Sequence, residues 1–387
     1  MHSKRVPTII HKEPKSIPEG KTILRRCRRA ERAGLLVRLG NMTKREQIIE
    51  YDALWDSYRK CKSGVGWKPT TKHFYLNDCE EILRMSCKLE TGNWVNGTPR
   101  PISITYPKKR EGLSIPFKDR VYQRSINDNV LYPAATRSFI YDNIACQRGK
   151  GPDLARKRIK KMLWRFYCNH GLNGSVGQMD ISGYYKNMRH DITNGKFQKC
   201  LADDEVHGMV INVLDTQYTG DVGYNPGSQM VQIAGIAVPD EIDHYIKEEL
   251  HIKYYIRYMD DFWLLHEDEE YLSRCMDAIE RKLNEMGFRA NKKKTHIASL
   301  KKGFNFLGFA YRMTETGKII MTLNSDNIRA ERRRLRRLVI LVSKGEKTKR
   351  TVDEHFRCWC DNASHGNSYK LIERMKRYYR ELRREYL

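Results

Sequence analysis

Two short apolar runs, YYIRYM and FWLL, meet at residues 254–265 with only Asp260 and Asp261 between them. Runs of this length and composition read as strands, and so short a polar interruption forces a tight hairpin turn. The turn sets both carboxylates on one edge of a sheet. Asp180 closes a third such run, Ser175 to Met179, and falls at the tip of a neighbouring strand. The chain therefore has to build a small sheet that gathers three acidic side chains at one end.

The rest of the chain alternates strand and helix signals and contains no internal repeat. Helical spacing is expected from Lys21 to Arg38 with a cationic face, and in two or three helices between 43 and 92 around Tyr51, Leu54, Trp55, Tyr58, Ile82, Leu83 and Leu89. Extended pieces at Ile102–Tyr106 and in LSIPF precede a helix through DRVYQRSINDNVLYPA, with Asp119 at its N-cap. Asp153 caps a basic helix whose apolar positions Leu154, Ile159, Met162, Leu163 and Phe166 leave Arg156, Lys157, Lys160 and Lys161 exposed. Pro239 interrupts a later helix, where it kinks or restarts. The fold class is α+β, with helices on one face of a small antiparallel sheet.

Charge narrows the partner. Lys and Arg number 72 against 47 Asp and Glu, a net charge of +25, which suits a polyanion such as nucleic acid. With 40% hydrophobic residues the chain is a folded body and not a basic tail. No run approaches the roughly 18 apolar residues of a membrane span, and the first residues lack a secretory apolar core. Ten scattered cysteines, with Cys358-Trp-Cys360 the one close pair, imply neither a disulfide framework nor a zinc site. Three clustered carboxylates in a basic protein fit metal-assisted phosphoryl transfer, which needs positioning and charge neutralisation more than covalent chemistry. They can hold two Mg²⁺ ions, with Mn²⁺ as a substitute.

An Asp-Asp turn alone is commonly just a solvated turn. Here it follows Asp180-Ile-Ser-Gly-Tyr-Tyr185 and Pro226-Gly-Ser-Gln229, and precedes Asn291-Lys-Lys-Lys-Thr295 and Phe306-Leu-Gly308. That order resembles the successive palm motifs of the reverse-transcriptase family over roughly residues 100 to 320. The resemblance implies a right hand: an N-terminal helical extension (1–95), fingers and a ferredoxin-like palm (96–320), and a basic helical thumb (321–387). It implies that Asp180 and Asp260 are the main metal ligands, Asp261 the accessory carboxylate and Ile181 a carbonyl ligand. Tyr185 matches the position that shields the sugar 2′ side and so favours deoxynucleotides, whereas Tyr184 points away if the chain is extended and is structural. Gly227, Ser228 and Gln229 resemble the loop against the incoming nucleotide. Many bacterial relatives have Ser-Gln where this chain has Val231-Gln232, so Gln229 and Gln232 both stand as the nucleotide-facing residue. Lys109 and Arg110 resemble triphosphate-binding residues, with Lys108 a rival. Lys293 or Lys294 is the candidate proton donor to pyrophosphate. Phe306, Leu307 and Gly308 resemble a primer-gripping hairpin.

The phrases PFKDRVYQRSI, DHYIKEEL, YIRYMDDFWLLH, FNFLGF and HGNSYKLIERMK resemble the bacterial lineage of defence-associated and diversity-generating reverse transcriptases. The resemblance implies a cytoplasmic bacterial enzyme that uses dNTPs to copy a dedicated non-coding RNA into cDNA, without ribonuclease H or integrase, and with a partner protein or further copies of itself. Antiphage defence is the preferred role, with diversification and a catalytically silent RNA-binding scaffold as alternatives. A viral RNA-dependent RNA polymerase usually has Gly before the Asp pair and a smaller sugar gate; Tyr258 and Tyr185 argue against it.

Overall fold

The computed structural model describes residues 42–105, 110–225 and 227–387. The expected helix at 21–38 lies outside the described residues, as do Lys108 and Lys109. Among the described residues four helices come first: α1 (Glu46–Ile49), α2 (Tyr51–Lys62), α3 (Pro69–Leu76) and α4 (Asp78–Glu90). Apolar residues three or four apart, Leu54 and Tyr58 on α2 and Ile82, Met85 and Leu89 on α4, make their buried faces, while Leu83 points outward.

An antiparallel pair, β1 (Arg100–Ile104) and β2 (Arg110–Ser114), leads into α5 (Phe117–Ile126), which continues through a π-helical turn at Asn127–Leu131 into α6 (Tyr132–Thr136). Pro116, and not Asp119, is the residue at the N-cap of α5. Asp119 is buried and accepts the Gly97 N–H at 2.9 Å, tying the preceding loop to the helix. In the next helix, α7 (Pro152–His170), Gly151 holds the cap position and Asp153 lies in the first turn, where it pairs with Arg156. Arg156 is buried against the ring of Phe309 at 5.3 Å, in contrast to the exposed position its helical spacing suggested.

The centre runs β3 (Ser175–Asp180), α8 (His190–Leu201), α9 (Asp204–Gln217), α10 (Gln229–Ala237), α11 (Asp240–His244), β4 (Tyr254–Tyr258), β5 (Asp261–His266), α12 (Glu269–Glu285) and β6 (His296–Ser299). Pro239 sits between α10 and α11, where the helix restarts as expected. The four strands are antiparallel in the order β4-β5-β3-β6, a βαββαβ unit. Alternation gives the sheet two apolar faces. Met179, Tyr255, Phe262 and Leu264 join Leu272, Met276 and Ile279 of α12 in one core. Val176, Ile256, Trp263 and Leu265 join Ile159, Leu163 and Phe166 of α7 in another. Helices thus cover both faces, not one.

A second sheet of β7 (Phe304–Phe306), β8 (Phe309–Met313) and β9 (Ile319–Leu323) shares the α7 core. The expected division at residue 320 falls inside β9. Three helices follow, α13 (Ser325–Ser343), α14 (Lys349–Ser364) and α15 (Tyr369–Tyr386), around a core of their own made by Leu335, Val339, Val352, Phe356, Met375, Tyr379 and Leu382. No helix among the described residues is long and apolar enough to cross a membrane.

Candidate active site

The sheet register explains how three carboxylates meet. Asp180, the last residue of β3, lies opposite Asp261, the first residue of β5. Asp261 in turn pairs with Tyr258 across the hairpin, leaving Met259 and Asp260 as a two-residue loop. Met259 adopts φ +58°, the left-handed conformation such turns require. Ile181 is buried; its N–H donates to the Asp260 carbonyl at 3.2 Å and it bridges Ala290. The Asp260 and Asp180 backbones are thereby held side by side.

Two side chains complete Asp180. Asn291 donates Nδ2–H to Oδ1 at 3.0 Å, and Lys294 Nζ lies 2.6 Å from Oδ2. Lys293 is exposed and meets the same loop only through its backbone N–H, so Lys294 is the lysine at the carboxylates. The Asp180 hydrogen bond raises the Lys294 pKa. Burial first, then the charges of Asp260 and Asp180, pushes Asp261 up from 3.8 to about 7. Three carboxyls and one lysine leave a surplus of negative charge in a partly dry site, which is the donor chemistry a hard divalent cation satisfies. Among the described residues no three His, Cys, Asp or Glu side chains form a ready-made cage, so a cation here would also draw on backbone oxygen, water or substrate.

The residues expected on the nucleotide side lie on the turn after β3, at the start of α10 and on β2. Tyr184 and Tyr185 begin a 3₁₀ turn, Tyr184–Asn187, instead of continuing extended. Both therefore reach α10: the Tyr184 hydroxyl donates to the Gly235 carbonyl, and the half-buried Tyr185 ring lies where a Cβ on residue 235 would meet its hydroxyl at 2.8 Å. A side chain at 235 would have to displace that ring. Gly227 packs equally closely, since a Cβ there would stand 2.4 Å from the Leu113 carbonyl of β2. Ser228 caps α10, accepting the Met230 N–H at 3.1 Å and donating to Gln123 at 2.9 Å. Gln229 and Gln232, one turn apart, both line a cavity of ≈ 240 Å³ with Arg124, Arg148 and Cys146; Gln229 is half-buried and Gln232 exposed. Arg110 begins β2, opposite Ile104.

A larger cleft of ≈ 1130 Å³ opens between α3, α4, β1 and β2 and reaches Gly227. Lys68, Arg84, Lys88, Arg100, Lys118 and Arg120 line it. On the other side of the carboxylates, Leu307 and Gly308, with φ +47° and +83°, form the turn between β7 and β8 after the buried Phe306. Gln178, on the same sheet face as Asp180, donates to the Asn305 carbonyl at 2.6 Å and holds that hairpin beside the site. Sequence reasoning assigned no role to Asn291 or to Arg257. The available signal for Arg257 was a cation inside an otherwise apolar strand.

An antiparallel βαββαβ sheet with crowded carboxylates at its strand ends, in a chain that also carries a basic cleft, fits the class of nucleic-acid polymerases. Residues 115–311 match the reverse transcriptase (RNA-dependent DNA polymerase) family. The chain belongs to that family. No curated protein matches it. Among solved structures it is similar to an apo telomerase from Candida tropicalis truncated from its C-terminal domain, at 10% identity and TM-score 0.43, over 58% of this chain and 54% of that one. It is also similar to a telomerase from Candida albicans in complex with a fragment of telomeric RNA, at 14% identity and TM-score 0.43, over 63% and 49%. The chain thus spans about half the length of those structures.

Proposed function

We propose that this enzyme copies a dedicated RNA into DNA at Asp180, Asp260 and Asp261, with Mg²⁺ as the natural cation and Mn²⁺ as a substitute. The observation that carries this reading is the meeting of the three carboxylates at the ends of β3 and β5, where burial and then the neighbouring charges push Asp261 up to about 7 and Lys294 is the local counter-charge. Bound divalent ions at such a site lower the pKa of the attacking 3′-hydroxyl and neutralise the leaving pyrophosphate. Asp180 is kept in place by Asn291 and Lys294, and Asp260 by the Ile181 N–H. Lys294 serves as proton donor only once its Nζ leaves Asp180 Oδ2, because the ion pair holds its proton more tightly than usual.

Tyr185, braced on Gly235, excludes a ribose 2′-hydroxyl, while Gln229 and the more exposed Gln232 meet the nucleotide from α10. Lys109 and Arg110 bind the triphosphate in this reading, on the strength of the sequence resemblance. The basic cleft over α3, α4 and β1 takes the template, and the Phe306-Leu307-Gly308 turn supports the primer end. In this reading the N-terminal helices and the β1–β2 pair act as extension and fingers, the central sheet as palm and α13 to α15 as thumb. The role in antiphage defence on a non-coding RNA, with diversification as its rival, rests on the sequence resemblance.

The test is to sequence the nucleic acid copurifying with the wild type and with the Asp260→Ala, Asp261→Ala double variant after incubation with dNTPs and Mg²⁺. DNA complementary to one bound RNA, made only by the wild type, is the expected result. Equal RNA in both samples and DNA in neither would replace the reading with an RNA-binding scaffold.

A further inference from the structure

Arg257 stands three residues before Asp260 in β4 and is completely buried, although its neighbours Tyr255 and Ile256 are core residues. Its guanidinium forms a two-pronged ion pair with Asp243 of α11, Nε to Oδ1 at 2.7 Å and Nη2 to Oδ2 at 2.6 Å. The Tyr255 hydroxyl donates to the same carboxylate at 2.6 Å. Two of the three remaining donors go to backbone: Nη2 reaches the Ile236 carbonyl at 2.9 Å, and Nη1 the Met259 carbonyl at 3.1 Å. One planar fork therefore touches the helix that lines the nucleotide cavity and the turn that carries the carboxylates.

A fully buried ion pair is poor evidence of added stability, since desolvation offsets most of the attraction. What this pair specifies is more informative. Met259 occupies a left-handed conformation that an L-residue keeps only when its surroundings hold it. The bond from Arg257 fixes the Met259 carbonyl, and with it the orientation of the peptide leading into Asp260. The Ile236 carbonyl, also bonded by Asn143 Nδ2 at 3.3 Å, belongs to the turn of α10 beside Gly235, the residue that accommodates Tyr185.

We propose that Arg257 is a positioning residue: locked by Asp243, it sets the Asp260–Asp261 turn in register with the α10 wall of the nucleotide site. This rests on the reading of the three carboxylates as catalytic. A lysine at 257 keeps the charge but lacks the fork that reaches Asp243 and both carbonyls together. Replacing the whole network by apolar groups of similar size removes the donor to Met259 without stranding a buried charge.

The experiment measures steady-state dNTP incorporation on a primed RNA template, together with melting temperature, for three full-length variants. The first is Arg257→Met with Asp243→Leu and Tyr255→Phe, the second Arg257→Lys, and the third Asp260→Asn. A positioning role predicts that the triple variant melts within about 5 °C of wild type. It also predicts a dNTP KM changed less than about threefold, and a kcat lowered by about 10–100-fold through misplacement of reacting groups. Arg257→Lys is expected to lose about tenfold in kcat by the same cause. A folded triple variant or Arg257→Lys protein with wild-type kcat overturns the proposal. If the triple variant does not fold, Arg257→Lys decides alone, and failure of that variant to fold makes Arg257 a stability residue and also overturns it. Asp260→Asn separates the two readings: its loss of synthesis beside active Arg257 variants sinks only the positioning role, whereas retained synthesis sinks the carboxylate reading itself.

Discussion

The central sheet and the C-terminal bundle handle charge in opposite ways. In the centre, Asp180, Asp240, Asp243 and Arg257 are all buried, and each is fixed by a side-chain partner, Asp240 by Lys196 at 2.9 Å. In the bundle, the buried Glu331 pairs with the half-buried His355, and Arg332, Arg333, Arg336 and Arg337 face outward from α13. Both regions are rich in ionic groups, but the first uses them as oriented parts and the second as a field. Single changes should therefore have large effects in the centre and small, cumulative, salt-dependent ones in the bundle.

The largest effect tests the first half of this contrast. Asp260→Ala is expected to reduce nucleotide incorporation by roughly a thousandfold or more, with primer–template affinity within a few-fold of wild type. Single-turnover extension beside a filter-binding assay checks it, and a parallel collapse of affinity would mean that the turn is not an oriented catalytic part. Tyr185→Ala comes next. Opening the space beside Gly235 should lower the preference for dNTPs over rNTPs by about 10–100-fold, as expected for loss of a steric contact. Tyr184→Phe removes only the bond to the Gly235 carbonyl and should leave that preference unchanged.

The difference between these regions also marks what could be read from the sequence. The hairpin at Tyr258–Asp261 and the tip at Asp180 were legible because strand alternation and tight-turn geometry are local, and register then brings the carboxylates together. The start of α5 was misplaced because Asp119, a good capping residue by type, is instead claimed by the Gly97 N–H from 22 positions away. Arg156 was placed on the outer face for a similar reason: Phe309, which covers it, arrives from another sheet. Lys293 and Lys294 are identical by composition, and only the loop held by Asn291 turns one of them towards Asp180. Arg257 carried a detectable anomaly, but its partners Asp243, Ile236 and Met259 come from three separate elements. Residues whose job depends on long-range partners are the ones that spacing does not resolve.

A smaller effect lies between the two regimes, at the basic cleft. Burial raises the Asp119 pKa from 3.8 to about 6, against the lowering effect of the Gly97 N–H and of Lys118. The folded state then binds more protons than the unfolded state between those values, so this group's stabilising contribution is present below 3.8 and is lost as pH rises through 6. Asp119→Asn keeps an acceptor for Gly97 and abolishes the titration. It should melt higher than wild type at pH 8, by on the order of 1–2 kcal/mol with water at the cleft taken into account, and gain nothing near pH 4. Melting curves at the two pH values check this, and a gain of equal size at both would remove the titration as its cause.

The smallest effect is expected in the bundle, and it is the one that can break the contrast. Arg333 and Arg337 are one turn apart on the exposed face of α13, whereas Arg332 stacks on Tyr378 at 4.5 Å and Arg336 bonds the Tyr386 hydroxyl at 3.1 Å. If α13 contributes a field, either Arg→Gln change alone should weaken primer–template binding by only a few-fold at low salt. The two together should lower the slope of log affinity against log salt by up to about two, one phosphate contact for each charge. kcat at saturating primer–template should stay at its wild-type value, because neither side chain orients a reacting group. A loss of kcat without a change in salt slope would instead make these arginines oriented parts, and the division between an aimed centre and a diffuse bundle would no longer hold.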